Sequence, residues 1–197
     1  ILIKDAATLE NTSKLTAIVL DKTGTLTEGN PKVTEVVATG AYTKEEVLAY
    51  ASAVERSSNH PISLAIIEEA KRQNIPIEKR VEKFESIGGH GVRALADGRD
   101  VIAGTERLMK QSAIDLAPLQ YEIDRLLDTG NTISIVAIDG KVAGAIGVAD
   151  TVRESAKKTI SKLKELGLEV AMITGDHEQV AKAISADLGI DRYFAQV

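Results

Sequence analysis

Apolar and polar positions alternate differently along three stretches of the chain. The first stretch centres on four apolar residues, 17–20, which end at Asp21. A short continuous apolar run with β-branched members predicts a strand buried on both of its faces. The glycine and proline of 28–31 predict a turn-rich break, and the alternation over 32–37 predicts a half-buried strand. A short helix is expected before the first strand, over residues 6–10.

The second stretch mixes helical periodicity with tight turns. Thr43 and Glu46 have the spacing of a capping box and predict the start of a helix, and Pro61 is typical of the first position of another. Two Asp-Gly pairs, 97–98 and 139–140, each separate two β-rich segments and therefore predict two hairpins. Further helical patterns lie near residues 105–112 and 118–128.

In the third stretch, which begins at residue 144, helices and buried strands alternate, and this is typical of a parallel sheet. The predicted elements are helices at 152–166 and 178–188 and strands at 168–173 and 193–195. The whole pattern predicts an α/β fold, a doubly wound parallel sheet that is interrupted by an α+β insert with an antiparallel sheet. We expect residues 1–31 and 144–197 to form one domain around an insert of residues 32–143.

Composition narrows the class of protein. The 197 residues are 44% hydrophobic and 27% charged, as in an ordinary soluble globular protein. A net charge of −5 and an aromatic content of 3% argue against nucleic acid as a main partner. The absence of cysteine excludes disulfides and thiolate metal sites. No apolar run approaches the roughly 18 residues needed to cross a bilayer.

Asp21 lies where the first strand ends, and a segment rich in hydrogen-bond donors follows it. Open α/β sheets bind ligands at the carboxyl ends of their strands. An anion such as phosphate could be surrounded by the Lys22 ammonium, the hydroxyls of Thr23 and Thr25, and free N–H groups around Gly24. A carboxylate at this place can carry a phosphoryl group as an aspartyl-phosphate. An aspartate beside a glycine can equally cap a turn, so residues 21–24 alone leave both interpretations open.

A second turn of this kind follows a later strand. Thr174, Gly175 and Asp176 come directly after the largely apolar run 169–173 and before a helical pattern. A threonine hydroxyl and backbone N–H groups at the start of a helix can bind a phosphoryl oxygen. The same residues also suit an ordinary loop, in which glycine makes the turn and aspartate caps the helix. Taken alone, this turn leaves its function open.

In the insert, His60 immediately precedes the helix that Pro61 begins, and Gly89 and Gly91 precede the first hairpin. The histidine can stack on a ligand ring or simply cap the helix, and the glycines can admit a ligand or permit a bend. Residues 89–94 formally match the dinucleotide pattern G-x-G-x-x-A, but we reject it because a hairpin, not a helix, follows. The chain has no G-x-x-x-x-G-K-[ST] sequence, which excludes a P-loop nucleoside triphosphatase.

The strongest single motif is the heptapeptide Asp-Lys-Thr-Gly-Thr-Leu-Thr at residues 21–27. It matches the phosphorylation motif of P-type ATPases residue for residue. The stretch from residues 148–154 to residues 173–177 is similar to the corresponding stretch of the same family. The chain therefore resembles a P-type ATPase on both sides of its insert.

The insert resembles the nucleotide-binding domain of the heavy-metal branch of that family. Glu55 lies five residues before the His60–Pro61 pair, and a G-x-G turn follows, as in that branch. Two positions depart from the pattern: Asn59 stands where a glutamate often precedes the His-Pro pair, and Thr105 follows Gly104 where an asparagine is usual. The resemblance covers essentially the whole chain.

The resemblance implies a haloacid dehalogenase-like fold for the phosphorylation domain, incomplete at its carboxyl-terminal end, and an ATP site in the insert. The residues it assigns to nucleotide binding are Glu55, His60, Gly89, Gly91 and Gly104. It makes Asp21 the acceptor of the γ-phosphoryl group, and it gives Mg²⁺ two ligands here, Asp21 and the Thr23 carbonyl. The other residues of the implied catalytic set are Lys22, Thr174, Gly175 and Asp176, and the first three would hold phosphoryl oxygens.

Thr23 distinguishes two enzymes of this fold. Phosphatases of the haloacid dehalogenase-like class usually have a second aspartate two residues after the nucleophile, which acts as general acid and base. A threonine at that position leaves a phospho-aspartate without this base and favours a long-lived intermediate, as a pump requires. A soluble phosphatase remains the alternative enzyme, and a regulatory nucleotide-binding module is the non-catalytic alternative.

For the whole protein, the resemblance implies partners that this sequence does not contain. They are membrane helices, an actuator domain and a transported heavy-metal cation such as copper, zinc or cadmium. We expect the present chain to be a monomeric fragment at the cytosolic face of a membrane, which binds nucleotide but lacks the family's GDGxNDxP motif for efficient turnover.

Overall fold

The strands and helices of this chain belong to two sheets and the helices that cover them. A computed structural model describes residues 5, 10, 12 and 14–197. Apart from residue 10, the short helix expected at 6–10 lies outside the described residues. The strands of the described part are β1 (Ala17–Asp21), β2 (Thr27–Ala38), β3 (Val81–Ile87), β4 (Gly91–Ala96), β5 (Arg99–Gly104), β6 (Thr132–Ile138), β7 (Lys141–Val152), β8 (Glu169–Ile173) and β9 (Arg192–Phe194). Its α-helices are α1 (Lys44–Glu55), α2 (Pro61–Arg72), α3 (Glu106–Gln111), α4 (Gln120–Asp128), α5 (Glu154–Glu165) and α6 (Glu178–Leu188).

The chain divides into two compact units. We call Asn30–Thr151 the insert unit, and Ile1–Gly29 together with Val152–Val197 the Asp21 unit. The predicted junction at 143/144 falls inside β7, eight residues before the observed division. The reason is that β7 continues its antiparallel pairing with β6 as far as Val148, opposite Thr132, so this segment belongs to the antiparallel sheet.

In the insert unit, six strands form a sheet in the order β2-β7-β6-β5-β4-β3. The neighbouring pairs from β7 to β3 are antiparallel, and both predicted hairpins are confirmed. Helices α1 and α2 pack on one another and cover one face of this sheet. The helical periodicity predicts four buried positions in α1, and all four belong to the core: Val47, Leu48, Ala51 and Val54. Thr43 and Glu46 form the predicted capping box.

Strand β2 corrects the predicted break at residues 28–31, because the strand continues without interruption from Thr27 to Ala38. Gly29 adopts a φ of 76°, a conformation that glycine accepts readily. The Asn30 N–H donates to Asp150 Oδ1 of β7 at 3.0 Å. Pro31 is tolerated because β2 lies at one edge of the described sheet, where a missing N–H need not break a ladder hydrogen bond.

In the Asp21 unit, the described strands form a parallel sheet in the order β1-β8-β9. Helices α5 and α6 pack on one face, where Ile18 and Leu20 meet Val170 and Met172. The prediction that β1 is buried on both faces was wrong: Val19 points to the other face and is 55% exposed. Among the described residues, no helix is long and apolar enough to cross a bilayer.

Candidate functional site

Asp21 and Thr174 lie at the ends of two neighbouring parallel strands. In the register of β1 and β8, Asp21 is opposite Ile173, so Thr174 is the next residue beyond the pair. The Asp21 side chain is exposed, whereas Thr174 is buried. The structure therefore brings together the two turns that the sequence singled out, as expected for the carboxyl edge of a parallel sheet.

The segment after Asp21, which we call the Asp21 loop (residues 22–27), is held by its own hydrogen bonds. The Gly24 N–H donates to Thr27 Oγ1 at 3.1 Å, and the buried Thr27 hydroxyl donates to the Lys22 carbonyl at 3.1 Å. The Arg153 guanidinium donates to the Gly24 carbonyl at 3.2 Å. Of the N–H groups around Gly24 that were expected to face an anion, that of Gly24 itself is therefore already bonded to Thr27. Thr23, with ψ of 121°, departs from helical geometry within this loop.

Lys22 forms an ion pair with Asp176. Lys22 is only 6% exposed, and the Thr174 hydroxyl also bonds to the Asp176 carboxylate, at 3.0 Å. The Asp176 N–H in turn donates to Thr174 Oγ1 at 3.1 Å. Both side chains that were expected to hold phosphoryl oxygens, Lys22 and Thr174, are thus bonded to Asp176 here. Gly175 lies between Thr174 and Asp176 at the exposed turn.

The insert unit contains a cleft of about 180 Å³ beside the ends of α1 and α2. All five residues that the resemblance assigned to nucleotide binding line it: Glu55, His60, Gly89, Gly91 and Gly104. The volume is below the roughly 300 Å³ at which pockets for whole drug-sized ligands begin. The cleft therefore suits one part of a larger ligand, such as a ring.

Glu55 is a buried carboxylate at the end of α1. Ser63 of α2 donates a hydrogen bond to Glu55 Oε2 at 2.6 Å, and Ser58 Oγ lies 2.9 Å from the Ser63 hydroxyl. Burial raises the pKa of the Glu55 carboxyl above its ordinary value, and the hydrogen bond from Ser63 offsets part of this shift. Glu55 can thus present an acceptor oxygen to a ligand in a poorly hydrated place.

His60 caps α2, and its exposed ring also lines the cleft. Its Nδ1 accepts a hydrogen bond from the Ile62 N–H at 3.2 Å. An accepting Nδ1 requires that the neutral ring has its proton on Nε2. Helix capping and a ligand contact were alternatives in the sequence; the capping role is observed, and it leaves the face and Nε2 edge of the ring available.

Gly91 and Gly104 are required by strand packing. They are register partners in β4 and β5. A Cβ atom on Gly91 would meet the Ala103 carbonyl and would lie 2.7 Å from the Gly104 Cα; one on Gly104 would lie 2.8 Å from the Gly91 Cα. Gly89 differs, since a Cβ atom added to it would meet no atom within 4 Å. Of the three glycines, only Gly89 leaves open space for an approaching ligand.

Three residues that sequence reasoning did not single out hold these sites together: Thr27, Arg153 and Ser63. Thr27 and Arg153 lie inside segments that were recognised as motifs, and this position was a weak indication that they contribute to the site. Ser63 follows the His-Pro pair by two residues and faces Glu55 from the first turn of α2. Its contact with Glu55 depends on how α1 and α2 pack, which no local pattern reveals.

The oxygen donors near Asp21 fit Mg²⁺. The Asp21 carboxylate is exposed, and the carbonyl of Thr23 belongs to the same loop. Carboxylate and carbonyl oxygens are the ligands that Mg²⁺ prefers, and Mg²⁺ at phosphate sites commonly uses one or two carboxylates with the phosphates themselves. Within the described residues no cluster of three or more His, Cys, Asp or Glu could hold a metal ion.

Comparison with known proteins identifies the family. A family model described as haloacid dehalogenase-like hydrolase matches residues 15–197. The chain belongs to this family. Among curated relatives, this haloacid dehalogenase-like hydrolase is 39% identical over 197 residues to a copper-exporting P-type ATPase of Bacillus subtilis, and 41% identical over 198 residues to a probable copper-exporting P-type ATPase of Archaeoglobus fulgidus. Each match covers all of the chain but 24% of the relative.

Solved structures give the same assignment. A zinc-transporting PIB-type ATPase in the E2.Pi state matches the whole chain with a TM-score of 0.73 and 32% identity, over 31% of its own length. The catalytic domain of the CPx-ATPase CopB-B, studied for conformational changes upon nucleotide binding, matches with a TM-score of 0.72 and 29% identity, over 67% of its length. This haloacid dehalogenase-like hydrolase is therefore homologous to the catalytic domain of heavy-metal P-type ATPases. The resemblance to heavy-metal P-type ATPases and the α/β fold, both inferred from the sequence, are confirmed. The comparisons also support the ATPase interpretation over the two alternatives, a soluble phosphatase and a regulatory nucleotide-binding module.

Proposed function

We propose that the insert unit binds ATP and that Asp21 accepts its γ-phosphoryl group, as the catalytic part of a heavy-metal cation-transporting P-type ATPase. The observation that carries this proposal is the convergence of Glu55, His60 and three glycines on one cleft. The chain spans about a quarter of the length of its curated relatives. Transport, its cargo and its membrane partners therefore belong to the proposal for the whole protein.

The chemistry of the cleft favours the base of a nucleotide. No lysine or arginine is among the described residues that line it, and the Glu55 carboxylate would repel phosphates. The same carboxylate accepts hydrogen bonds, which suits the exocyclic amino group of a base such as adenine. The ring of His60 at the edge of the cleft can stack on the base. The phosphates would extend out of the cleft.

The reaction is a phosphoryl transfer to a carboxylate. One Asp21 oxygen attacks the γ-phosphorus, the bond from that phosphorus to the bridging oxygen breaks, and ADP leaves with the electron pair. Asp21 and the Thr23 carbonyl would hold Mg²⁺, which when bound neutralises charge on the phosphate oxygens. Lys22 and Thr174 would contribute through Asp176, whose carboxylate bonds to both of their side chains.

Thr23 supports a persistent intermediate. A threonine hydroxyl is a poor general base at neutral pH, so Thr23 cannot activate water against the phospho-aspartate as a carboxylate would. This favours a transporter cycle over rapid hydrolysis. In the whole protein we propose that the phospho-aspartate drives the passage of a copper- or zinc-type cation through membrane helices, with the present chain on the cytosolic side and an actuator domain that promotes dephosphorylation.

The nucleotide site is tested by replacing His60. We expect His60→Ala to weaken ATP binding by this chain, measured by calorimetry, without unfolding it. His177→Ala is the matched control, because His177 caps α6 through the same Nδ1 contact, to the Gln179 N–H at 3.4 Å, in the Asp21 unit. Equal ATP affinity of wild type and His60→Ala would refute the nucleotide-site assignment.

The nucleophile is tested in a protein of the relatives' full length that contains this sequence. We expect γ-labelled ATP to give an acid-stable phosphoprotein with Asp21 and none with Asp21→Asn. Asp187→Asn, an exposed change in the same unit, should leave labelling intact. Labelling that persists in Asp21→Asn would show that another residue accepts the phosphoryl group.

A further inference from the structure

Ser134 places a buried hydroxyl in the wall of the cleft. It is 3% exposed, and its Oγ has no partner among the described residues. A hydroxyl withdrawn from water without a partner costs stability, so most buried polar groups are satisfied. Ser134 lies in the middle of β6, where valine, isoleucine and alanine occupy most of the neighbouring positions. An unsatisfied hydroxyl among such residues calls for an explanation.

The register of the sheet places Ser134 on the face that α1 and α2 cover, where the cleft lies. Val136 of β6 pairs with Ala103 of β5, and both belong to the core that α1 and α2 cover. Because alternate residues of a strand share a face, Ser134 points to the same face as Val136, two residues further along. Glu55 and Ser63 approach that face from α1 and α2, and all three side chains line the cleft.

Glu55 and Ser134, two buried polar residues that line the cleft, differ in the hydrogen bonds that they can offer a ligand. Glu55 Oε2 already accepts from Ser63, and its carboxylate oxygens can accept further hydrogen bonds but donate none. The Ser134 hydroxyl can donate. A purine base with an exocyclic amino group can bond to both residues. Its amino group can donate a hydrogen bond to Glu55, and its ring nitrogens can accept one from Ser134. Nothing charged is needed to satisfy Ser134, which favours the base over the phosphates as its partner.

We propose that Ser134 donates a hydrogen bond to a ring nitrogen of the nucleotide base and is a specificity-determining residue of this site. This inference rests on the proposed nucleotide function of the cleft and adds a residue to it. The described residues offer the Ser134 hydroxyl no partner, and a bound base would supply one. The hydrogen bond would form in a place from which water is largely excluded. Its loss there should lower the affinity for the nucleotide measurably.

The first experiment compares ATP affinities by calorimetry. We expect Ser134→Ala to weaken binding about 3- to 10-fold, the effect of one neutral hydrogen bond. The folded state should not suffer, because the change removes an unsatisfied hydroxyl; the melting temperature should be equal to or above that of the wild type. Ser185→Ala is the matched control, since Ser185 is the other buried hydroxyl in the described residues without a partner and lies in α6. It should leave ATP affinity unchanged.

The second experiment identifies the atom contacted. ATP analogues in which nitrogen 1, 3 or 7 of the base is replaced by CH are titrated into wild type and Ser134→Ala. One analogue should bind the wild type more weakly than ATP does, and Ser134→Ala should weaken it no further, because the same hydrogen bond is already lost. Equal losses from Ser134→Ala for ATP and all three analogues would overturn the proposal.

The outcomes separate this inference from the function on which it rests. If wild type binds ATP and His60→Ala weakens it while Ser134→Ala does not, the cleft is a nucleotide site and the role of Ser134 is refuted. If wild type itself binds no ATP, the proposed function fails and the inference fails with it. If both variants weaken ATP binding and one analogue is insensitive to Ser134→Ala, both stand.

Discussion

Lys22 and Asp176 form an ion pair inside the Asp21 unit, one residue beyond the proposed nucleophile and two beyond Thr174. The Lys22 ammonium is nearly inaccessible, and Asp176 also bonds to the Thr174 hydroxyl at 3.0 Å. The pair therefore ties the turn after β1 to the turn after β8. This contact positions the residues beside Asp21 before any phosphate is present.

The first prediction concerns that ion pair. Asp176→Asn should lower the free energy of unfolding by about 3–5 kcal/mol, because it leaves the Lys22 ammonium buried without a carboxylate. Urea denaturation with a probe in the Asp21 unit measures this change. The exposed pair of Lys157 with Asp187, in the same unit, is the control. Asp187→Asn should cost less than about 1 kcal/mol, since exposed pairs contribute little.

The double variant Lys22→Met/Asp176→Asn discriminates further. Removing both charges eliminates the uncompensated ammonium, so much of the stability lost in Asp176→Asn should return. If Asp176→Asn were as stable as the wild type, the ion pair would have no structural role, and Lys22 would have to be regarded as available for ligand.

The second prediction concerns Thr27 and the shape of the Asp21 loop. Thr27→Val keeps the side-chain volume but removes the hydroxyl that accepts from Gly24 and donates to Lys22, so we expect a loss of about 1–3 kcal/mol in stability. Hydrogen exchange of the Gly24 amide, followed by NMR, should accelerate in Thr27→Val. Thr27→Ser retains the hydroxyl and should retain the slow exchange. Equal exchange rates in the two variants would contradict the hydrogen bond.

How far the sequence predicts this fold depends on whether the signal is local. Both hairpins could be predicted because an Asp-Gly pair is a strong local signal for a two-residue turn. In the structure Asp97 and Asp139 adopt φ near 50°, as such a turn requires. Strand β3 was not predicted as such. Lys83 has φ of 53° and the register with β4 shifts beside it. This bulge puts Val81 and Phe84, three residues apart, against the same core and hides the period of two.

The candidate site divides in the same way. Asp21 and Thr174 could be predicted to be neighbours, because the carboxyl ends of parallel strands meet at one edge of a sheet. The pairing of Lys22 with Asp176, and of Ser63 with Glu55, could not, because each depends on how side chains of separate elements pack. The exposure of Val19 was missed for a related reason, since an apolar run does not reveal how many faces of its sheet are covered.

The third prediction is a pH dependence that arises from Glu55. Burial raises the pKa of the Glu55 carboxyl in the folded state. At pH values between the unfolded and the folded pKa, the carboxyl is therefore protonated in the folded state and ionised in the unfolded state. The contribution of Glu55 to the free energy of unfolding is therefore fully present below the unfolded pKa of about 4.5. This contribution is lost as the pH rises through the raised folded pKa. Glu55→Gln should melt at a higher temperature than the wild type at about pH 7.5, and the difference should shrink near pH 4.5.

Calorimetric melting scans at both pH values measure this effect. Glu68→Gln, a change at an exposed position of α2, is the control and should show no comparable difference. If the melting temperature of Glu55→Gln were below that of the wild type at the higher pH, the Glu55 carboxylate would be stabilising as the ion. ATP binding should nevertheless weaken in Glu55→Gln, because a neutral amide accepts a hydrogen bond less strongly than a carboxylate.

The last prediction separates glycines required by the fold from a glycine available to ligand. Gly91→Ala should cost about 3 kcal/mol or more, because its Cβ would meet the backbone of β5 while φ is 143°. Gly89→Ala should cost only about 1 kcal/mol, since its φ of 73° is unfavourable but the space is open. Melting temperatures test this order. ATP titrations then test the site: Gly89→Ala should stay folded and bind ATP more weakly, because its methyl group enters the cleft. Similar melting temperatures for the two variants would show that the contact of Gly91 with Gly104 does not limit the packing of β4 on β5.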